Sequence, residues 1–146
     1  MNFITKTFQE LNTIELYQIL NLRSEVFVVE QDCVYQDIDF KDQKAIHIFG
    51  FKEDKIVAYT RIFKPGDYFE NSSIGRVVVA KKERKFGYGH QIMKASIIAV
   101  KDIFKEDVIT ISAQKYLKKF YETHQFKQIG EEYLEDGIPH IRMDKK

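Results

Sequence analysis

The chain has 146 residues, of which 44% are hydrophobic and 31% charged, with two prolines, seven glycines and a single cysteine. This composition excludes a mainly disordered, collagenous or low-complexity protein, and the length fits one domain, residues 1–146. The longest apolar runs are four residues, so we expect no membrane span. No signal peptide is expected at Met1, and the lone Cys33 fits a reducing cytoplasm.

The net charge is only +1, but the charges are unevenly distributed. Residues 76–94 carry six basic residues and one acid, whereas residues 30–42 carry five acids and one lysine. This pattern suggests an anionic ligand beside a cationic one, with ordinary solvated charge as the alternative. The small net charge and the acidic first half argue against nucleic-acid binding through Lys81–Lys85.

Hydrophobic periodicity predicts ten elements along the chain. A strand, Phe3–Phe8, comes first, and Asn12 with Glu15 has the pattern of a capping box for a helix that fades near Val28–Gln31. The next elements are strands at Ala45–Phe51, Ile56–Phe63 and Ile74–Ala80, a helix from Gly87 to about Phe104, a strand at Val108–Ala113, a helix marked by Leu117 to His124, and strands at Phe126–Tyr133 and Ile138–Met143. This order predicts an α+β fold with a mixed central sheet flanked by helices.

The segment Val79–His90 joins a valine-rich strand to the start of a helix. Free N–H groups and the positive end of the helix dipole suit a phosphate there, and Gly87 and Gly89 allow a close approach to the backbone. Arg84 adds a forked donor. The segment is neither a Walker loop nor a dinucleotide fingerprint, and a glycine-softened helix start with a solvated basic turn is the alternative.

Arg84-x-x-Gly87-x-Gly89 after a valine strand resembles the pyrophosphate loop of the GNAT superfamily of acyl-CoA-dependent N-acetyltransferases. Further segments are similar to the ElaA group of that superfamily. They are Phe27-Val28-Val29-Glu30-Gln31, Tyr35-Gln36-Asp37-Ile38-Asp39, Gly75-Arg76-Val77-Val78-Val79, Ala113-Gln114, Phe120-Tyr121 and Asp136-Gly137-Ile138-Pro139-His140. The resemblance covers nearly the whole chain.

The resemblance implies where acetyl-CoA, the acyl donor, would bind. The pantetheine arm would pair with the main chain of Val77, Val78 and Val79, and the thioester would lie where this strand splays from Val108–Ala113. Backbone groups would hold the pyrophosphate over Arg84, Lys85, Phe86, Gly87, Tyr88, Gly89 and His90. Gln114 stands where many superfamily members have Asn, in agreement with the ElaA pattern.

The resemblance also implies that Tyr121 protonates the leaving thiolate, although an aromatic residue at helical spacing is otherwise a typical core residue. No acid lies on Ile74–Ala80, where several relatives place a general base. Glu30 and His140 are our candidates for that base. The alternatives are that Glu30 ties down the following loop and that His140 is a structural sheet residue.

Asp37, Asp39 and Asp42 either attract a cationic acceptor or form a solvated acidic loop, and we favour the second. Arg61 and Arg76 lie on predicted strands, where buried guanidinium groups need carboxylates, so we expect them to pair with this loop. We expect no metal site, because the histidines and Cys33 lack ligand spacing. Cys33 is expected to be a bystander.

The sequence therefore predicts a cytoplasmic N-acetyltransferase that transfers acetyl from acetyl-CoA to a primary amine by direct attack in a ternary complex. The amine, a small molecule or a protein, cannot be identified from these residues, and we expect no nucleic-acid or membrane partner. A non-catalytic acyl-CoA-binding or sensor protein is the alternative. A homodimer is possible, and the oligomeric state stays open.

Overall fold

The computed structural model describes residues 1–146. Its strands are β1 (Phe3–Thr7), β2 (Ile46–Lys52), β3 (Lys55–Phe63), β4 (Ser72–Val79), β5 (Ile109–Gln114), β6 (Lys127–Glu135) and β7 (Ile138–Lys145). Its helices are α1 (Thr13–Arg23), α2 (Tyr88–Ala99) and α3 (Lys118–Glu122). Wider π-helical turns extend α1 to Glu30 and α2 to Phe104, and Lys81–Phe86 forms a 3-10 helix. The predicted order of elements is confirmed, and none of the helices combines the length and apolar character of a membrane span.

One mixed sheet contains all the strands, in the order β1-β2-β3-β4-β5-β7-β6. Neighbouring strands are antiparallel except for β4 and β5, whose parallel pairing is limited to Ser72 with Ile109 and Ser73 with Thr110. Beyond these two pairs the strands diverge towards their carboxyl ends. The divergence opens a gap in the middle of the sheet, where backbone groups lack ladder partners.

The core lies on both faces of the sheet because successive strand residues point to opposite sides. Ile48 and Val79 belong to a cluster of 16 buried residues that includes the apolar face of α2. Their chain neighbours Phe49 and Val78 belong to a cluster of seven that packs under α1. The sheet is thus covered by α1 on one face and by α2 on the other, which fixes both helices relative to the gap.

A capping box starts α1, as predicted. The Glu15 N–H donates to Asn12 Oδ1 at 2.7 Å, and the Asn12 N–H donates to Glu15 Oε1 at 2.9 Å. Lys6 on β1 also donates to the Glu15 carboxylate at 2.9 Å. These bonds satisfy donors at the helix start and tie α1 to the first strand.

A buried ion network ties the loop after α1 to the sheet. Arg23, at the end of α1, is fully buried and donates to Asp37 Oδ2 at 2.9 Å and to Asp42 Oδ1 at 2.8 Å. Arg61 on β3 is also buried and donates to both oxygens of Asp39 and to the same Asp42 oxygen. Buried charges are tolerated only when paired and hydrogen-bonded, so the network holds this loop in one position.

The network corrects one expectation and confirms another. Asp37 and Asp42 are only 7% and 5% exposed, so this segment is not the solvated acidic loop we favoured, and its carboxylates are not available to attract a cation. The predicted pairing of Arg61 and Arg76 with the loop is confirmed. Burial alone would raise the pKa of Asp42, but Arg23 and Arg61 hold it below its ordinary value.

Asp42→Asn should lower the free energy of unfolding by about 3–5 kcal/mol, because it leaves two buried guanidinium groups short of a negative partner. Urea unfolding at pH 7, followed by circular dichroism, measures the loss. Asp32→Asn is the matched control, since it removes the same charge from an exposed position of the same loop and should change stability by less than about 0.5 kcal/mol. Equal unfolding midpoints for the two variants would contradict the role of the network.

Candidate functional site

The gap between β4 and β5 forms part of a cleft of about 650 Å³, within the size range of small-molecule sites. Tyr121, Glu30 and His140 all line it. So do eight of the eleven residues predicted to bind the cofactor, which are Val77, Val78, Val79, Arg84, Gly87, Gly89, His90 and Gln114. The other three, Lys85, Phe86 and Tyr88, do not line it. The structure therefore brings most of the predicted residues together in one place.

A β-bulge shapes the β4 wall of the cleft. Gly75 pairs with Arg61 and Val78 pairs with Tyr59, so β4 accommodates one residue more than β3 between these pairs. Arg76 in the bulge has a φ of +49°, a left-handed conformation that costs a non-glycine residue on the order of 1 kcal/mol. The bulge bends the strand, and beyond Ser73 the edge of β4 that faces β5 has no strand partner.

The ion network stabilises this strained residue. Arg76 Nε donates to Asp37 Oδ1 at 2.8 Å, and Nη2 donates to the Asp37 carbonyl at 3.1 Å. The Tyr35 hydroxyl donates to the same carboxylate oxygen at 2.9 Å. Because Asp37 also binds Arg23, one aspartate connects α1 to the bulge that forms the wall of the cleft.

The start of α2 presents N–H donors that no side chain caps. Gly87 has a φ of +76°, which favours glycine, and the first bond at this end of the helix runs from the Gln91 N–H to the Gly87 carbonyl at 3.2 Å. The first N–H groups of an α-helix lack an acceptor within that helix, and no side chain caps those of α2. Such donors at the positive end of a helix suit an anionic group.

Phe86 and its neighbours anchor the turn before α2 rather than line the cleft. The Phe86 ring packs against Tyr88, and Lys52 Nζ from the β2–β3 hairpin lies 4.0 Å from the ring centroid. Lys52 also donates to Glu83 at 2.8 Å. These contacts hold the turn against the sheet, and with it the N–H groups that follow.

Arg84 does not present a free guanidinium group to the cleft, in contrast to the forked phosphate donor that we expected. Its Nη1 and Nη2 donate to the two oxygens of Glu30 at 2.7 and 2.8 Å, and its Nε donates to the Val79 carbonyl at 3.1 Å. The hydrogen bonds from Arg84 lower the pKa of Glu30, which makes Glu30 a weaker proton acceptor at neutral pH.

A second link across the cleft follows one residue later. The side-chain amides of Gln31 and Gln114 bond reciprocally, at 3.1 and 3.2 Å. Glu30 thus joins the extension of α1 to the turn before α2, while Gln31 joins it to the end of β5. The role of Gln31 was not predicted, because no local sequence pattern indicates a partner 83 residues away.

Tyr121 lies on α3 and is only 6% exposed. Its ring packs edge to face against Phe120 and Phe126, with centroids 5.1 and 6.0 Å away, so it belongs to the core as well as to the cleft wall. Burial raises the pKa of the Tyr121 phenol, with Tyr116 contributing, so the hydroxyl stays protonated at neutral pH. A neutral phenol in this position is able to donate a proton or a hydrogen bond.

Two histidines and the cysteine also border the cleft. His140 on β7 is buried, and its Nδ1 lies 2.7 Å from the Ile138 carbonyl. His90 Nδ1 lies 2.9 Å from His124 Nε2. Cys33 is buried against the β6–β7 turn, where its thiol donates to a backbone carbonyl at 3.4 Å. No group of three or more His, Cys, Asp or Glu residues is arranged to hold a metal ion.

Comparison with known proteins identifies the family. Residues 7–146 match a family described as "Acetyltransferase (GNAT) domain". The chain is also 42% identical over 139 residues to protein ElaA of Escherichia coli K12, a match that spans 94% of this chain and 91% of that protein. The chain belongs to the GNAT acetyltransferase family.

Two solved structures superpose closely on this GNAT domain. An acyl-CoA N-acyltransferase from Pseudomonas aeruginosa has a TM-score of 0.94 at 35% identity, with complete coverage of both chains. The crystal structure of E. coli ElaA has a TM-score of 0.92 at 39% identity and covers 99% of each chain. The predicted GNAT fold and the predicted ElaA resemblance are confirmed.

Glu30→Gln should tighten the binding of coenzyme A by up to about fivefold, because it releases Arg84 from an exposed ion pair worth at most about 1 kcal/mol. Isothermal titration calorimetry with coenzyme A measures the change. Glu25→Gln, which removes an exposed carboxylate from the same helical extension, should leave the affinity unchanged. Weaker binding by Glu30→Gln would show that Arg84 does not compete between carboxylate and phosphate.

Proposed function

We propose that this protein is an acetyl-CoA-dependent N-acetyltransferase that acetylates a primary amine by direct attack in a ternary complex. The observation that carries the proposal is that the unpaired edge of β4 leads directly to the uncapped N–H groups at the start of α2. Acetyl-CoA has amides along its pantetheine arm, which suit a strand edge, followed by a diphosphate, which suits a helix start. The name of the Pseudomonas relative, an acyl-CoA N-acyltransferase, supports the same reaction class.

The donor would lie along one continuous path. The pantetheine amides would pair with the main chain of Val77–Val79, and the diphosphate would take the N–H groups of the Arg84–His90 segment. Gln114 would border the acyl group at the end of β5. The thioester would then lie in the gap between the two strands, beside Tyr121.

Two groups would assist the departure of the thiolate. A thiol with a pKa of about 8.5 is a fair leaving group, and its sulfur needs a proton as the carbon–sulfur bond breaks. The protonated Tyr121 phenol would supply that proton, and a backbone N–H near Val79 would polarise the acyl carbonyl. Orientation of the amine against the thioester would contribute much of the remaining acceleration.

Proton removal from the amine falls to His140 rather than to Glu30 in this proposal. Both Glu30 oxygens are bonded to Arg84, whereas His140 Nε2 has no donor bonded to it within the chain. Glu30 then acts on the position of Arg84, which differs from the structural alternative that it ties down the following loop.

Gly89→Val should block the binding of acetyl-CoA. It should therefore abolish the thermal stabilisation that acetyl-CoA gives to the protein, since ligand stabilisation follows mass action. A Cβ at this position would lie 3.5 Å from Phe120 Cε1, an ordinary contact, so Gly89→Ala should fold normally and keep part of the shift. The further methyl groups of valine would crowd Phe120 and the free N–H groups. An unchanged thermal shift in Gly89→Val would place the diphosphate elsewhere. If acetyl-CoA shifts the melting temperature of the unmodified protein but no amine of a panel causes release of coenzyme A, the protein is a non-catalytic acyl-CoA-binding protein.

Tyr121→Phe should reduce kcat by roughly 10²-fold or more while leaving the affinity for acetyl-CoA nearly unchanged, because it removes the proton donor but keeps the ring. Release of coenzyme A, followed with a thiol reagent, gives kcat, and calorimetry gives the affinity. Tyr116→Phe is the control, since Tyr116 also borders the cleft but is largely exposed. Equal turnover in Tyr121→Phe and the unmodified protein would remove the proposed role.

A further inference from the structure

A polar cluster lies at the β6–β7 end of the cleft, on three neighbouring strands. It comprises Ser112 on β5, Tyr133 and Glu135 on β6, and His140 on β7. The hairpin register places Tyr133 opposite His140 and Glu135 opposite Ile138, which brings these side chains together. Ser112, Glu135 and His140 all line the cleft.

The His140 ring is held with one nitrogen facing Glu135. Its Nδ1 lies 2.7 Å from the Ile138 carbonyl, which can only accept, so Nδ1 carries the proton. In the neutral ring Nε2 therefore has the lone pair, and it lies 3.3 Å from Glu135 Oε2. The Tyr133 ring stacks on the imidazole with centroids 6.2 Å apart, so packing also opposes rotation of the ring.

Glu135 reaches from the mouth of the cleft to this nitrogen. Its side chain is 46% exposed, and its other oxygen accepts a hydrogen bond from the Ser112 hydroxyl at 3.3 Å. The Ser112 hydroxyl in turn shares a hydrogen bond with the Tyr133 hydroxyl. A carboxylate so placed stabilises a positive charge on His140 and also attracts a cation that arrives from solvent.

The remaining charges in the cleft favour a cationic ligand at this end. Arg76 and Arg84 line the cleft, but each is already paired with a carboxylate, and no lysine lines it. Glu135 and Asp136 line it without an arginine or lysine partner. An anionic acceptor would therefore meet uncompensated negative charge at the β6–β7 turn, whereas an ammonium ion would be stabilised there.

We propose that Glu135 is the positioning residue that attracts the ammonium group of the acceptor to His140, the base of the proposed function, and stabilises the resulting imidazolium. The proposal rests on the N-acetyltransferase function proposed above. It extends that function by a residue that selects the charge of the acceptor, a cation rather than an anion.

The proton and electron movements balance as follows. One ammonium N–H bond breaks, and its proton goes to the lone pair of His140 Nε2. The freed electron pair forms the nitrogen–carbon bond at the thioester carbonyl, and the carbon–sulfur pair leaves with sulfur, which takes the Tyr121 proton. The nitrogen loses its second proton to the Tyr121 phenolate, and His140 releases its proton to solvent.

Two acceptors distinguish proton removal from the later chemistry. Butylamine is protonated at pH 7, whereas methoxyamine is already neutral and needs no base before attack. His140→Asn should lower kcat/KM for butylamine by roughly 10²–10⁴-fold, the usual contribution of general base catalysis. The loss of kcat/KM for methoxyamine should be smaller by at least about tenfold, because this amine does not have to lose a proton before it attacks.

Glu135 is tested with the same pair of amines. Glu135→Gln should raise KM for butylamine and lower kcat/KM for it more than for methoxyamine, and Glu135→Asp should restore part of the loss. Glu131→Gln removes an exposed carboxylate from the same strand and should leave both amines unaffected.

The results distinguish a failure of this inference from a failure of the proposed acetyltransferase function. If the unmodified protein releases coenzyme A with butylamine but the His140 and Glu135 variants lose activity equally with both amines, or lose none, the inference is overturned and the acetyltransferase function stands. If the unmodified protein binds acetyl-CoA and releases no coenzyme A with any amine, the proposed function fails, and the inference fails with it.

Discussion

The parallel pairing of β4 with β5 ends after two residue pairs, and the whole site depends on this early end. A continuous ladder would close the sheet and fill the space that is now a cleft. Because the opposite edge of β4 stays paired with β3, the strand remains fixed in place while its free edge keeps N–H and C=O groups that need partners. A ligand with amides can satisfy them without any rearrangement of the sheet.

The buried ion network holds the unpaired edge of β4 in its bent conformation. Arg23, Arg61 and Arg76 come from α1, β3 and β4, and they converge on a single loop. Asp37 bonds to the first and the last of them, so the strained bulge in β4 is connected to the end of α1. The same charges that stabilise the fold therefore determine where the wall of the cleft lies. A substitution that disrupts the loop would also change the position of that wall.

Local patterns were sufficient to predict the order of the elements, because periodicity, the Asn12 cap and the glycines at the start of α2 are properties of short segments. The pairing of Arg61 with the acidic loop was also predictable, since a guanidinium group on a buried strand needs a carboxylate. Its partners within that loop were not, because they depend on how the loop folds back. For the same reason the sequence described the loop wrongly as solvated.

Contacts between distant segments within the site were beyond sequence reasoning. Glu30 was identified as a candidate base, but its bonds to Arg84 follow from how α1 meets the turn before α2. Glu135 escaped notice because its position beside His140 depends on the register of the β6–β7 hairpin. The family resemblance located most residues of the cleft, whereas the choice of partners within it required the three-dimensional arrangement.

The two side-chain links across the cleft differ in kind, although they begin at adjacent residues. The Glu30–Arg84 link is ionic and partly exposed, so it weakens as ionic strength rises. The Gln31–Gln114 link joins two neutral amides, whose hydrogen bonds respond little to salt or to pH. The Glu30–Arg84 link across the cleft is therefore sensitive to the ionic surroundings, while the Gln31–Gln114 link is independent of them.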